Sequence, residues 1–279
     1  MSFGAGRTAG VRVQQLHTVE RGRCATALLL LHGFGSSSSV WAGVSAKLER
    51  DYRCVMPDLR GHGMSADLAL QQNCISDFAD DITNLSGALG LDSFVLVGHS
   101  MGGKIAMAVA ARRPQGLTAL VLLAPSPPNP EPITRAQRAH LLQHQRSRAA
   151  AEHAAHALTG WPLPSTLFRQ VVDDRLRCSP RAWRWWLESG SKEDVSQSLA
   201  RIDIPVRVLS GLLDITIPTA VIESEVMSRL PNAQLTRIVE CGHLIPLEAP
   251  EALVRCIRLL TGHLCQGQPE LGGVRAAGV

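Results

Sequence analysis

Aromatic side chains make up only 4% of this 279-residue chain, with a single Tyr. Lysine is nearly as scarce, occurring only at Lys47, Lys104 and Lys192, so a net charge of +4 rests almost wholly on Arg. Nucleic-acid binding needs more basic and aromatic density than this. One local excess gathers Arg135, Arg138, Arg146 and Arg148 with His140 and His144, and no Asp or Glu falls between Glu131 and Glu152. It reads as a solvated helix face, with an anion-docking surface as the alternative. CxxC pairs are missing too. Seven cysteines, at 24, 54, 74, 178, 241, 256 and 265, are odd in number, which argues against zinc ribbons and a disulfide framework. The longest apolar runs, 25–31 and 117–124, fall well short of the roughly 18 residues that span a bilayer, so no membrane insertion is expected. The first ten residues carry no apolar h-region, which leaves the cytoplasm as the default compartment.

What the chain does hold is core material. Hydrophobic residues reach 45% against 19% charged, enough for one large buried core, and the length suits one main domain with an insertion. Short apolar runs at 11–16, 26–31, 53–56, 94–97, 117–123, 206–209 and 234–239 alternate with helical patterns at 41–48, 75–89, 101–112, 220–230 and 250–262. That alternation predicts an α/β fold, a mostly parallel central sheet flanked by helices. Unbroken runs such as Leu28-Leu29-Leu30-Leu31 suit strands buried on both faces.

The alternation stops where Pro125, Pro127, Pro128, Pro130 and Pro132 crowd together, forbidding a regular helix or a central strand. Helices without strands follow, at 135–158 and 164–177 among others. The expected organisation is therefore a core of 11–124 and 199–264, a helical cap of 125–198 and a flexible tail of 265–279. Trp161, Trp183, Trp185 and Trp186 all fall in the cap.

Gly98-His99-Ser100-Met101-Gly102 directly follows the expected strand 94–97 and leads into a helix. In that context a G-x-S-x-G match has a physical meaning: the Ser sits on a sharp strand-to-helix turn, and the glycines remove Cβ atoms that would collide. The turn presents the hydroxyl at the carboxyl edge of the sheet, with a helix N-terminus behind it that favours developing negative charge. A hydroxyl alone is a poor nucleophile and needs a base.

Together with His32-Gly33-Phe34-Gly35, the 58–65 segment Asp-Leu-Arg-Gly-His-Gly-Met-Ser and Cys241-Gly242-His243, this elbow resembles the α/β-hydrolase family over residues 11–264, and within it small bacterial carboxylesterases. The resemblance implies Ser100 as nucleophile, His243 as general base and Asp214, after the strand 206–209, as the acid that orients the imidazole. It also implies an oxyanion hole of the Phe34 and Met101 backbone N–H groups. No metal or organic cofactor is implied. The pairs His140/His144 and His153/His156 have helical spacing, but no carboxylate or Cys completes a metal site. His32 and His62 read as loop-structuring residues, His99 as an edge of the pocket, and Met101 and Met107 as packing.

Substrate-facing candidates are Trp161, Trp183, Trp186 and Leu244; packing inside the cap is an equal reading for the tryptophans. Ser at the elbow argues against haloalkane dehalogenases and epoxide hydrolases, which place Asp there. Leu244 departs from the C–C bond hydrolases and hydroxynitrile lyases, and Phe34 from the perhydrolases. The expectation is a serine hydrolase cleaving carboxylic esters through an acyl-enzyme, acting on a small-molecule ester or lactone. The alternatives are a lactonase, an acyltransferase and a hydrolase-fold small-molecule receptor with slow turnover.

Overall fold

A computed structural model of the chain describes residues 16–68 and 74–262. The first ten residues, the expected strand at 11–16 apart from Leu16, and the tail 265–279 with Cys265 lie outside the described residues.

Strands β1 (Thr18–Arg21), β2 (Ala27–Leu31), β3 (Arg53–Pro57), β4 (Phe94–His99), β5 (Leu117–Leu123), β6 (Val206–Gly211) and β7 (Gln234–Ile238) form one sheet in the order β1-β3-β2-β4-β5-β6-β7. β1 runs antiparallel to β3, and the remaining pairings are parallel. Every residue of β2 and of β4 is buried, as two-sided strands require. Pleating then sorts the Leu run of β2. Leu29 and Leu31 join one core with Ile75, Phe78 and Ile82, while Leu28 and Leu30 join the other with Val44, Leu48, Leu253 and Ile257. Burying one such Leu side chain is worth about 1.5–3 kcal/mol.

Those partners come from the flanking helices. α1 (Ala42–Leu48) lies on one face, and α2 (Ile75–Ala88) and α3 (Met101–Ala110) on the other. Ile75, Phe78, Ala79 and Ile82 of α2 recur at the i, i+3, i+4, i+7 spacing of a helix with one buried side. The mostly parallel sheet flanked by helices agrees with the sequence reading.

Between β5 and β6 the chain forms α4 (Arg135–Gln143), α5 (Arg148–Ala157), α6 (Ser165–Arg177) and α7 (Pro180–Glu188), with no strand. The helix expected over 135–158 is two. His144 leaves helical geometry, and the Ser147 hydroxyl accepts from the Ala150 amide at 3.2 Å, starting α5 afresh. The helix expected over 220–230 is also irregular: α8 (Thr219–Val221) passes into a π-turn at Ile222–Val226, both ends of which are buried, and a 3₁₀ turn at Met227–Arg229. After β7, the short α9 (Ile245–Glu248) and then α10 (Pro250–Thr261) return to the α1 face.

Candidate active site

The carboxyl ends of β2, β4, β6 and β7 converge on one edge of the sheet. Ser100 occupies the turn from β4 into α3 with φ 53° and ψ −118°, a conformation that side-chain-bearing residues avoid at a cost of about 1–3 kcal/mol. Local hydrogen bonds hold it there. The Ser100 amide donates to Leu123 O at 3.0 Å, and its carbonyl accepts from Gly103 N at 2.8 Å and Ser126 N at 3.0 Å. A Cβ on Gly98 would stand 2.4 Å from Gly102 O, and one on Gly102 2.5 Å from His32 O, so backbone approaches backbone at both positions and only glycine fits.

The Ser100 hydroxyl donates to His243 Nε2 at 2.9 Å, and His243 Nδ1 donates to Asp214 Oδ2 at 2.7 Å. The other oxygen of Asp214 accepts from the amides of Thr216 and Ile217 at 2.8 and 2.9 Å, so this buried carboxylate is held from both sides. Burial works against a charged His243, but Asp214 beside it, with Glu131 and Glu248 further off, outweighs burial and raises its pKa above the ordinary value.

The histidine loop is fastened by groups that the sequence reading missed. Glu248 accepts from the amides on either side of His243, from Gly242 at 3.0 Å and Leu244 at 3.0 Å, and also from Gly160 N in the insertion at 2.7 Å. An acidic residue in the first turn of a short helix was the available signal. His99 Nε2 donates to the His243 carbonyl at 2.8 Å, and the His243 amide donates to Leu158 O at 2.8 Å. Burial depresses His99 to about 3, so it is a neutral strut and more than a pocket edge. Glu131, whose pKa burial raises, accepts from Ser126 Oγ at 3.1 Å.

A Cβ on Gly33 would lie 3.1 Å from Ser100 Cβ, so the 32–35 loop passes directly beside Ser100. His32 braces that loop: Nδ1 donates to Gly33 O at 2.9 Å, and Nε2 accepts from Leu59 N at 3.0 Å. Burial lowers its pKa and keeps it neutral. Asp58 ties the neighbouring loops, accepting from Ser38 N at 2.6 Å, Met64 N at 2.8 Å and His17 Nδ1 at 3.0 Å. His62 donates to Arg60 O at 3.0 Å and is held near 3 by burial. Met101 opens α3, where the first amides have no partner within the helix. Neither its amide nor that of Phe34 has an acceptor among the described residues.

The expected substrate-facing residues separate. Leu244 and Phe34 line a cleft with Leu158, Gln170 and Arg175. Trp183 and Trp186 are 1% and 3% exposed and pack against Phe34, with ring centres 4.5 and 6.1 Å away, and Trp183 Nε1 donates to Leu141 O at 2.9 Å. Trp161 is 57% exposed and does not line this cleft. Among the described residues no group of three or more His, Cys, Asp or Glu is disposed to hold a metal. No described helix is long and apolar enough to cross a membrane.

Comparison with known proteins points the same way as the geometry. Residues 26–250 match the family described as alpha/beta hydrolase fold. A protein of Mycobacterium tuberculosis is 38% identical over 98 residues; the match takes in 35% of this chain and only 28% of that protein's length. RutD of Caulobacter sp., provisionally named a carbamate hydrolase, is 30% identical over 81% of this chain and 86% of its own. Pimeloyl-(acyl-carrier protein) methyl ester esterase of Nitrosomonas europaea is 28% identical over 84% of this chain and 94% of its own. Among solved structures, a thermophilic esterase from Thermogutta terrifontis, with malate bound, superposes with a TM-score of 0.75 at 27% identity, covering 88% of this chain and 93% of that one.

Proposed function

Because the chain belongs to the alpha/beta hydrolase fold family, we propose that it hydrolyses carboxylic esters of small molecules by acyl transfer through Ser100. The observation that carries this reading is the continuous hydrogen-bonded line from Ser100 Oγ through His243 to Asp214, at 2.9 and 2.7 Å. Esterase names among the relatives support it.

In the proposed cycle His243 Nε2 takes the hydroxyl proton as Ser100 Oγ attacks the ester carbonyl carbon, and Asp214 stabilises the imidazolium that forms. The carbonyl oxygen becomes an oxyanion facing the Phe34 and Met101 amides, donors worth about 10²- to 10³-fold in rate each. The tetrahedral adduct collapses, the C–O bond to the alcohol breaks, and the leaving alkoxide takes the proton from His243. Water then attacks the acyl-Ser100 carbonyl, giving its proton to His243, and the second collapse releases the acid and restores Ser100. A lactone presents the same carbonyl, so ring esters fall within the same chemistry. The residues 125–198 act in this reading as a cap over the sheet edge. Six described cysteines, all unpaired, accord with a reducing compartment such as the cytoplasm.

Incubation with a fluorophosphonate, followed by peptide mass spectrometry, tests the reading. The expected result is one covalent adduct on Ser100 and loss of p-nitrophenyl butyrate hydrolysis in proportion to labelling. Labelling elsewhere with hydrolysis unchanged would remove Ser100 from the mechanism.

A further inference from the structure

Of the nine arginines in residues 125–198, Arg135, Arg146, Arg169, Arg177 and Arg181 are exposed to solvent, and three others have partners. Arg138 donates to Leu187 O and Ser191 Oγ, Arg148 pairs with Asp173, and Arg184 pairs with Glu188. Arg175, on α6, is different. Among the described residues no carboxylate lies within ion-pair reach of it, and no acceptor takes its five N–H donors. Its guanidinium carbon stands 4.5 Å from the ring centre of Trp183, a cation–π contact that supports the charge without neutralising it. Burial lowers its pKa to about 10, which still leaves it protonated at neutral pH.

Its position makes the missing counter-ion meaningful. A Cβ on Gly35 would lie 3.6 Å from Arg175 Cγ and 3.8 Å from a guanidinium nitrogen, so the side chain rests on the loop that carries the Phe34 amide. It shares its cleft with Phe34, Gln170, Leu158 and Leu244, the last being the residue after His243. None of its nitrogens is sealed from solvent without a partner, so its unpaired donors keep contact with solvent. Asp174 also borders the cleft, but its Oδ2 already accepts from the hydroxyls of Ser37 and Ser39, at 2.8 and 2.6 Å, and does not engage Arg175. A partly desolvated guanidinium with a planar fork of unused donors fits a carboxylate.

We propose that Arg175 is the docking cation for a carboxylate carried by the substrate, so that the preferred substrates are esters bearing a second, ionised carboxyl group at the end remote from the scissile bond. The proposal rests on the ester-hydrolase reading of Ser100 and deepens it from esters in general to anionic esters. Neutral esters need only the Ser100 edge of the site; anionic ones use the arginine as well.

The test compares p-nitrophenyl butyrate with mono-p-nitrophenyl glutarate, which places the carboxylate on the acyl side, and phenyl acetate with 4-acetoxybenzoate, which places it on the alcohol side. In wild-type protein one carboxylate ester is expected to exceed its neutral counterpart at least tenfold in kcat/KM, chiefly through a lower KM, and the pair that shows this identifies the side. Arg175→Gln should bring the ratio of charged to neutral kcat/KM down to about one, and Arg175→Lys should keep part of the preference. Calorimetric binding of glutarate, which needs no turnover, should weaken at least tenfold in Arg175→Gln. Equal rates for charged and neutral esters, or a preference that survives Arg175→Gln, would overturn the proposal. Arg175-dependent glutarate binding in a protein that cleaves none of the four esters would uphold the docking cation and overturn the ester reading instead.

Discussion

The strand edge and the helical insertion face each other across the candidate site, and they are built on different principles. At the edge, Ser100, Asp214 and His243 sit on turns fixed by backbone hydrogen bonds and glycine contacts, with deeply buried strands behind them. The insertion is looser. α4 buries no residue, α5 buries only Ala151 and Ala155, and the apolar weight is concentrated in α7 at Trp183, Trp185, Trp186 and Leu187. Reacting groups tolerate little misplacement, whereas the walls that choose a substrate can differ without disturbing them. On this comparison, changes at the edge abolish turnover and changes in the insertion alter stability or preference.

The largest effect is expected for Ser100→Ala, a loss on the order of 10⁶-fold in kcat for p-nitrophenyl butyrate, with an unchanged melting curve. Residual activity above a tenth of wild type would place the nucleophile elsewhere and break the division between edge and insertion. Asp214→Asn follows, with a loss of about 10⁴-fold from a His243 held in the wrong tautomer. Steady-state kinetics beside a circular dichroism spectrum separates this from unfolding.

In the insertion the prediction is about stability. Trp183→Ala should cost about 3–5 kcal/mol in denaturant unfolding, because the indole is buried against Phe34 and carries Arg175 on its face. Trp161→Ala, at an exposed position, should leave the unfolding midpoint where it is. A reversed order would show that the insertion's core has been located wrongly.

The smallest effect concerns pH. In the proposed cycle His243 must be neutral to accept the Ser100 proton, so kcat/KM is expected to fall on the acid side as the imidazole protonates. Burial opposes that protonation, but Asp214, Glu131 and Glu248 favour it more strongly, which sets the midpoint above the ordinary imidazole value. Removing one negative charge disfavours the imidazolium, so Glu131→Gln should move the midpoint downward with the alkaline plateau largely kept. A midpoint that stays in place would mean that Glu131 does not act on His243.

Much of the sheet was legible because its strands are buried on both sides. The Leu run of β2 and the segment Leu117–Leu123 have no reason to be so apolar unless both faces are covered. β1 was not anticipated, since Thr18–Arg21 is an edge strand with little burial and no apolar alternation to betray it. The elbow could be read from five consecutive residues because its geometry is local. Glu248, His99 and Arg175 could not, since what each one does depends on a group far along the chain: Gly160 for Glu248, the His243 carbonyl for His99, and the 32–35 loop for Arg175.

Sequence alone therefore determined the α/β alternation and the Gly98-to-Gly102 turn, because each follows from short-range sterics or from the period of apolar residues, whereas Asp214 and His243 were expected only from the resemblance to the α/β-hydrolase family. Tertiary structure alone decided that Trp183 and Trp186 are packed against Phe34 while Trp161 stands in solvent, and that the half-buried Arg175 lies without a counter-ion beside the loop at Phe34. The physical reason is that burial and charge pairing are properties of neighbours in space, and Trp183, Arg175 and Gly160 meet Phe34, Gly35 and Gly242, far away in the chain, only in the folded protein.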